Sequence, residues 1–413
     1  MRKIVDRKWT QINNKFKYFD KRIWYLVAIR VINALGFSII LPFLSIYLYS
    51  EQGVPMTIVG SLFLGAALVR AMTQLLGGGI SDRTGRRKVM IVAGIGRTLA
   101  FLLMAAAIYW GFPIYIIGVF IILSYGFGAM FMPAADALIS DVVNPKDRVE
   151  AYGYQRIGLN IGWAIGPAIG GYLASISYHL LFLIPSFFFF IVVLIVLFFI
   201  SETGDSQPRS EFNLNSIKQI SKHRAFILYG FLSLLIFSTI TQTYSTLSVY
   251  SVEIVKISKI QLGYLYSING LVIILFQLPG IKWINRMSLT TALSLGGFLA
   301  GFSYIVVALS SQFYMLAIAV CFLTFGEIFF IPAGTALTSN WAPESKKGTY
   351  LGVYGLFQGM GRSLGPFYGG ILLDHFLTSP YILWGTITLI SFTAATGISQ
   401  IKKFISPEIN QST

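Results

Sequence analysis

The sequence has little charge and almost no cysteine. Only 11% of its 413 residues are Asp, Glu, Lys or Arg, whereas 55% are hydrophobic. Soluble proteins carry about 25% charged residues. The low charge content therefore excludes a soluble globular protein and indicates that most of the surface faces lipid. The single cysteine, Cys321, excludes an internal disulfide.

The sequence also lacks the motifs of several catalytic and binding classes. The three histidines, His179, His223 and His375, lie far apart, so no cluster of His and Cys has the spacing of a metal site. No phosphate-binding Walker sequence occurs, which argues against ATP hydrolysis by this chain. We therefore expect no metal, no cofactor and no enzymatic activity.

Long apolar segments dominate what is present. About 20 apolar residues are enough to span a bilayer. We predict an all-α membrane protein with twelve transmembrane helices in two six-helix halves. The predicted segments are 23–48, 56–80, 89–110, 113–140, 151–174, 180–201, 225–252, 260–281, 289–310, 313–340, 349–373 and 379–400.

A pattern of glycine and proline occurs twice, 199 residues apart. In predicted helix five it consists of Gly153, Gly162, Gly166, Pro167, Gly170 and Gly171. In predicted helix eleven it consists of Gly352, Gly361, Gly365, Pro366, Gly369 and Gly370. A repeat this long suits a membrane protein with two similar halves. We predict an N-terminal six-helix bundle at 1–200, a cytoplasmic linker at 201–224, and a C-terminal bundle with a short cytoplasmic tail at 225–413.

The net charge of +15 follows the predicted membrane topology. If the N-terminus is cytoplasmic, the cytoplasmic segments contain 24 Lys and Arg residues, whereas the opposite side contains only Lys256 and Lys259. Cytoplasmic loops are enriched in Lys and Arg. We therefore predict a multi-pass protein of the cell membrane with both termini in the cytoplasm, and no nucleic-acid partner.

A short charged loop joins predicted helices two and three at residues 78–88 (GGISDRTGRRK). Its length predicts two antiparallel neighbouring helices, and Gly85 would supply a turn conformation that other residues resist. This motif resembles the loop signature of the major facilitator superfamily. The glycine pattern of helix five resembles the motif of that superfamily's drug/proton antiporters. The resemblance covers the whole chain, and the segment at 35–42 also resembles bacterial multidrug exporters.

The resemblance implies a charge cluster that holds the cytoplasmic side closed. By the match to the loop signature, Asp82 and Arg86 would form this cluster with Asp141, which ends predicted helix four. The alternative is that these residues are solvated loop charges. The predicted conformational latch consists of Gly78, Asp82, Arg83, Gly85, Arg86 and Asp141.

The predicted charge cluster does not explain the glycines of helices five and eleven. Small residues let two helix backbones approach closely in lipid. Pro167 and Pro366 lack an N–H group and are expected to bend their helices. A smooth, bent pair of helices would suit rocking of the two halves, and the alternative is tight packing with no role in motion.

Charges within predicted spans are the strongest functional indication, because they are costly in lipid. Glu327 lies near the middle of predicted helix ten, where its carboxyl could take up and release a proton. Arg362 could supply a counter-charge, and the alternative for Glu327 is a fixed ion pair. Arg30 and Arg156 could instead extend to cytoplasmic water. The proton and substrate candidates are Glu327, Asp136, Arg362, Arg30, Arg97 and Arg156.

One feature departs from the antiporter branch, which usually carries an arginine inside helix four. The corresponding region, residues 120–126, has none. Arg97 in predicted helix three or Arg156 in predicted helix five would have to substitute, although neither belongs to a family motif.

These observations predict a secondary transporter that exports drugs or other amphipathic compounds by proton coupling and alternating access. The alternative is transport of an anionic metabolite or a lipid-like compound, because arginines outnumber acids inside the predicted helices. The expected partners are a small-molecule substrate, protons and the bilayer, and we expect a monomer. The lack of a catalytic cluster disfavours a membrane enzyme, and the loop motif disfavours a non-transporting sensor.

Overall fold

The computed structural model describes residues 18–202, 220, 223–343 and 346–411. In these ranges all regular structure is helical and no strand occurs. The helices are α1 (Lys21–Glu51), α2 (Met56–Thr84), α3 (Arg86–Tyr109), α4 (Ile114–Val142), α5 (Arg148–Ile176), α6 (Tyr178–Phe199), α7 (Arg224–Glu253), α8 (Lys259–Ile284), α9 (Leu289–Ala308), α10 (Phe313–Trp341), α11 (Lys347–Phe376) and α12 (Pro380–Ile401).

Eleven helices in the described part of the chain are long and apolar enough to cross a membrane. The remaining long helix, α11, has 30 residues but contains eight glycines as well as Arg362 and Asp374, which lower its hydropathy. Its length still exceeds the roughly 20 residues needed to span a bilayer. The predicted all-α membrane fold is confirmed. Most of the predicted linker at 201–224 and the basic arm at 1–17 lie outside the described residues.

Short irregular turns interrupt two of the helices, and one glycine separates α2 from α3. The last turn of α1, Tyr47–Glu51, is π-helical, and α7 contains a 3-10 turn at Thr241–Tyr244. Gly85 separates α2 from α3 with a φ of 101°, a conformation that side chains with a Cβ resist. The segment 78–88, predicted as a loop, is therefore helical apart from Gly85: residues 78–84 end α2 and residues 86–88 begin α3.

Two compact units account for the packing. Unit 1 contains Met1–Ser38, Leu68–Gly166 and Tyr178–Arg209. Unit 2 contains Ile39–Ala67, Pro167–Ser177 and Ser210–Thr413. The second part of α1, the first part of α2 and the end of α5 therefore belong to unit 2. The division predicted at residues 200 and 225 concerns the sequence repeat and stays a prediction.

In each unit one apolar helix packs closely on two others. In unit 1, α3 packs on α4 and α6, and the core includes Met90, Leu138 and Val196. In unit 2, α9 packs in the same way on α10 and α12, six helices further along the chain. Complete burial of one such aliphatic side chain contributes about 1.5–3 kcal/mol.

Candidate functional site

The charged loop of unit 1 forms a cluster around Arg86. This side chain begins α3 and is only 2% exposed. Its guanidinium donates to the carboxylate of Asp82, to Ser81 Oγ at 2.8 Å, and through Nε to Asp141 Oδ2 at 3.4 Å. The structure thus brings three predicted latch residues together. Removing one partner of a buried ion pair costs about 3–5 kcal/mol.

The other predicted latch residues lie at the edge of this cluster. Arg83 is exposed, and the space beside Gly78 is open. A Cβ on Gly85 would lie 2.5 Å from the carboxylate of Glu202, which accepts a 3.2 Å hydrogen bond from the backbone N–H of Arg87. Glu202 was missed because it lies in the segment interpreted as linker, whose contacts the sequence does not reveal.

The glycines of α5 mark close backbone approaches. In unit 1, a Cβ on Gly162 would lie 2.5 Å from Ala34 Cβ, and one on Gly166 would collide with Ser38 Oγ. Ser38 Oγ donates to the Gly162 carbonyl at 2.9 Å. In unit 2, a Cβ on Gly171 would lie 2.5 Å from the Lys259 carbonyl oxygen. The remaining motif positions are Gly170, which lies against the Ile39 carbonyl, Pro167, and Gly153, which has open space beside it.

The glycines of α11 make the corresponding approaches within unit 2. Gly361 lies against the Leu234 carbonyl of α7, and Gly365 lies against the Ser238 carbonyl. Gln242 Nε2 donates to the Gly365 carbonyl at 2.8 Å. The carbonyl oxygens of the two motif prolines also lie in equivalent positions, Pro167 against Gly263 of α8 and Pro366 against Gly60 of α2.

A carboxylate site lies in unit 2 in the middle of α10. Glu327 is half-buried there. Asn269 of α8 donates from Nδ2 to Glu327 Oε2 at 3.3 Å and to Thr324 Oγ1 at 2.8 Å. Arg362 of α11 is exposed, lies 5.2 Å from the ring centre of Phe237, and is within electrostatic range of Glu327. Glu327 thus has an amide donor and a nearby cation, while the Thr324 hydroxyl donates to the Val320 carbonyl at 2.6 Å.

The deep charges of unit 1 are mostly cationic. Arg30 Nη1 lies 3.0 Å from Met132 Sδ, and Arg30 is within electrostatic range of the half-buried Asp136. Arg156 is exposed and has no polar side-chain contact among the described residues. Arg97, in the middle of α3, donates from Nη1 to Asn33 Oδ1 at 3.1 Å. The structure does not bring these candidates into one cluster.

An acid at the end of α11 was missed by the sequence interpretation. Asp374 accepts hydrogen bonds from the backbone N–H groups of Met56 and Thr57, each at 2.8 Å, and from Thr57 Oγ1 at 2.7 Å. All three residues lie in unit 2. A carboxylate is favoured at a helix N-terminus by the free N–H groups and the helix dipole. Lys259 and Glu51 form a further ion pair at 2.8 Å in this region.

The amide residues of the two sites were also missed. Asn33 and Asn269 each lie inside a long apolar segment, and this was a usable signal because polar side chains are rare there. Within the described ranges, no group of three or more His, Cys, Asp or Glu residues could hold a metal ion.

Comparison with known proteins shows which sequences this chain is similar to. The chain is 29% identical to an uncharacterized MFS-type transporter, YttB, of Bacillus subtilis, over 90% of this chain and 93% of the relative. It is 25% identical to a Na(+), Li(+), K(+)/H(+) antiporter of Planococcus maritimus, over 80% and 84%. It is 24% identical to the multidrug resistance protein MdtH of Yersinia enterocolitica, over 89% and 92%.

Solved structures agree on the fold. A peptide transporter POT in complex with sulfate superposes with a TM-score of 0.76 at 16% identity, over 94% of both chains. The sequence pattern that defines the Major Facilitator Superfamily matches residues 26–273 and 244–399, which together cover most of the chain. With its helical fold and its membrane-spanning segments, the chain belongs to the Major Facilitator Superfamily and is a multi-pass membrane transporter, not an enzyme.

Proposed function

We propose that the protein exports drugs or other amphipathic compounds in exchange for protons, by alternating access. The observation that carries this proposal is the Glu327 carboxyl, which lies in the middle of α10 with Asn269 as its amide donor. The resemblance to the drug/proton antiporter branch supports it, as do relatives whose names describe a cation/proton antiporter and a multidrug resistance protein.

The chemistry follows from the cost of charge at membrane depth. A carboxylate in an apolar environment is either neutralised by a proton or paired with a cation. In the proposed cycle, Glu327 binds a proton when it is accessible from outside and releases it when it is accessible from inside. The free carboxylate then attracts a cationic substrate. Proton and substrate compete for one group, so downhill proton entry drives export.

Two other features would serve the conformational change. The pairing of Arg86 with Asp82 and Asp141 would hold the cytoplasmic side closed in one state and break in the other. The glycine surfaces of α5 and α11 would let helix backbones slide past one another with little steric resistance. We further propose that the protein acts as a monomer in the cell membrane, with both termini in the cytoplasm.

Transport into proteoliposomes tests this function. Purified protein is reconstituted, a pH gradient is imposed, and uptake of labelled tetraphenylphosphonium is measured. We expect the gradient to drive accumulation by wild type and E327Q to lose it by at least about tenfold, which corresponds to 1.4 kcal/mol or more. The matched control is E253Q, which removes a carboxylate at the end of α7.

The outcomes distinguish a coupling role of Glu327 from a structural one. E327Q should retain the thermal midpoint of the wild type in detergent within a few degrees. Accumulation by E327Q at the wild-type rate would contradict the assignment and direct attention to Asp136. A large loss of thermal stability would instead indicate that Glu327 mainly stabilises the fold.

A further inference from the structure

We propose that Arg97 and Asn33, in unit 1, form a binding site for the anionic group of a compound with an aromatic body. This inference does not depend on Glu327 or on proton coupling, because its residues lie on α1, α2, α3, α4 and α6 within unit 1. The proposed ligand is an aromatic carboxylate or sulfonate.

The first observation is a pair of unused hydrogen-bond donors. Arg97 Nη1 donates to Asn33 Oδ1 at 3.1 Å, which orients the two side chains toward each other. Arg97 Nε and Asn33 Nδ2 are both buried and have no hydrogen-bond partner among the described residues. Buried donors without partners are rare in native proteins, and an unoccupied ligand site is one physical reason for them.

The second observation is a charge without a counter-ion. Arg97 lies midway along α3, and no carboxylate in the described part of the chain forms an ion pair with it. A second cation, Arg70 of α2, lies within its electrostatic range and also has no carboxylate partner among the described residues. Arg86, in the same unit, is paired with two acids. The region around Arg97 is thus left with uncompensated positive charge that an anion would neutralise.

The third observation concerns the aromatic rings that lie against the Arg97 guanidinium. The Arg97 guanidinium lies 4.0 Å from the ring centre of Phe189, 5.6 Å from that of Phe37 and 6.0 Å from that of Phe101. A ring that covers the face of a guanidinium leaves its in-plane N–H groups free to donate to an oxyanion. Phe101 and Phe189 are buried, whereas Phe37 is partly exposed and offers apolar surface to an aromatic ligand.

A glycine on α4 makes room for the guanidinium. A Cβ on Gly128 would lie 3.2 Å from Arg97 Cζ, which is closer than ordinary van der Waals contact. Gly128 therefore permits the position of Arg97 seen here, and an alanine at 128 would displace the donors. Gly65, which has open space beside it, offers a matched glycine at which an added methyl meets nothing.

Binding of naphthalene-2-sulfonate to the full-length protein tests the site. The protein is placed in nanodiscs of neutral phosphatidylcholine, and calorimetry measures the dissociation constants of the sulfonate and of uncharged 2-naphthalenemethanol. We expect the sulfonate to bind more tightly than the alcohol. R97Q should weaken sulfonate binding by at least about tenfold and N33A by a few-fold, because hydrogen bonds to charged groups are the strong ones. K88Q, which removes one charge at the start of α3, should bind as wild type does.

Several results would overturn the proposal. Equal affinity for the sulfonate and the alcohol would indicate apolar adsorption only, and unchanged binding by R97Q would exclude Arg97. If R97Q does not fold, the comparison of G128A with G65A decides, because only G128A should weaken binding. E327Q should bind the sulfonate normally even if the exporter proposal fails. Competition by phosphatidylglycerol in the nanodisc, abolished by N33A, would identify the occupant as an anionic lipid rather than an aromatic compound and contradict the proposed ligand class.

Discussion

Unit 1 and unit 2 each place a charged side chain in the middle of a long helix, and they stabilise it differently. Arg97 lies against aromatic faces, with one hydrogen bond to Asn33. Glu327 accepts a hydrogen bond from Asn269 and is within electrostatic range of Arg362. The difference follows from chemistry, because the negative face of an aromatic ring attracts a cation and repels a carboxylate, which needs N–H or O–H donors instead.

A third charged side chain, Arg86, is paired with two acids. Arg86 is 2% exposed and is held by Asp82, Asp141 and Ser81. Arg86 is thus paired with two acids, whereas neither Arg97 nor Glu327 forms an ion pair within 4 Å among the described residues. The two proposals above rest on this difference in pairing.

Among the variants that test the difference between the two units, reversing the charge of Arg97 should have the largest effect. R97E would place a carboxylate against the faces of Phe189 and Phe37, which attract a cation and repel an anion. An uncompensated buried charge destabilises a protein by about 3–5 kcal/mol, and the nearby Arg70 would offset part of that cost. We expect little folded protein on size-exclusion chromatography and a thermal midpoint well below that of R97Q. Equal midpoints for R97E and R97Q would show that the rings do not select a cation.

The next largest effect should come from the paired charge. D82N removes one of the two carboxylates that hold Arg86, and we expect transport to fall by at least about tenfold while the protein still folds and inserts, because Asp141 remains. Transport rates are measured in proteoliposomes at equal protein density. K88Q, in the same segment, serves as the control, and a wild-type rate for D82N would mean that the cluster is only a solvated group of charges.

A smaller effect is expected where Asp374 meets the start of α2. D374N removes the charge that faces the helix dipole, an interaction worth about 0.3–1 kcal/mol. In a C321S background, the labelling rate of a cysteine at the buried position Met56 should therefore rise about two- to fivefold. H375Q, at the exposed neighbouring residue, should leave the rate unchanged. An unchanged labelling rate in D374N would show that the hydrogen bonds of a neutral side chain are enough to hold the start of α2 in place.

The smallest effect is expected for Arg156. Because this side chain is exposed and has no polar partner among the described residues, R156Q should change thermal stability by no more than about 0.5 kcal/mol and transport by less than about twofold. A tenfold loss of transport in R156Q would place Arg156 among the substrate or proton residues. It would also weaken the contrast between Arg97, which has amide and aromatic contacts, and the exposed Arg156.

Much of the architecture was accessible from the sequence because lipid imposes a simple rule. A span must be helical and apolar, so segment length and hydropathy predict the helices. Gly85 and its neighbours also predicted the turn between α2 and α3. The charge cluster was inferred from a family motif, and the structure brings Asp82, Arg86 and Asp141 together.

Other features could not be read from the chain. Asp374 was passed over because its partners, the backbone N–H groups of Met56 and Thr57, are more than 300 residues away. Gly153 and Gly162 belong to one sequence motif, yet only Gly162 marks a close approach. A motif records which residue types occur, whereas the neighbour that each position meets depends on how the helices pack.

The sequence by itself determined the membrane environment, the helical spans and the family, because these depend on local composition and on short-range spacing. Only the tertiary structure decided which charges are compensated. Arg86, Arg97 and Glu327 all read as charges in or beside apolar segments, and their surroundings come from different helices. Acids, aromatic rings and amides are brought to them by packing over long sequence distances, and the electrostatic energy of a charge depends on neighbours within a few ångströms.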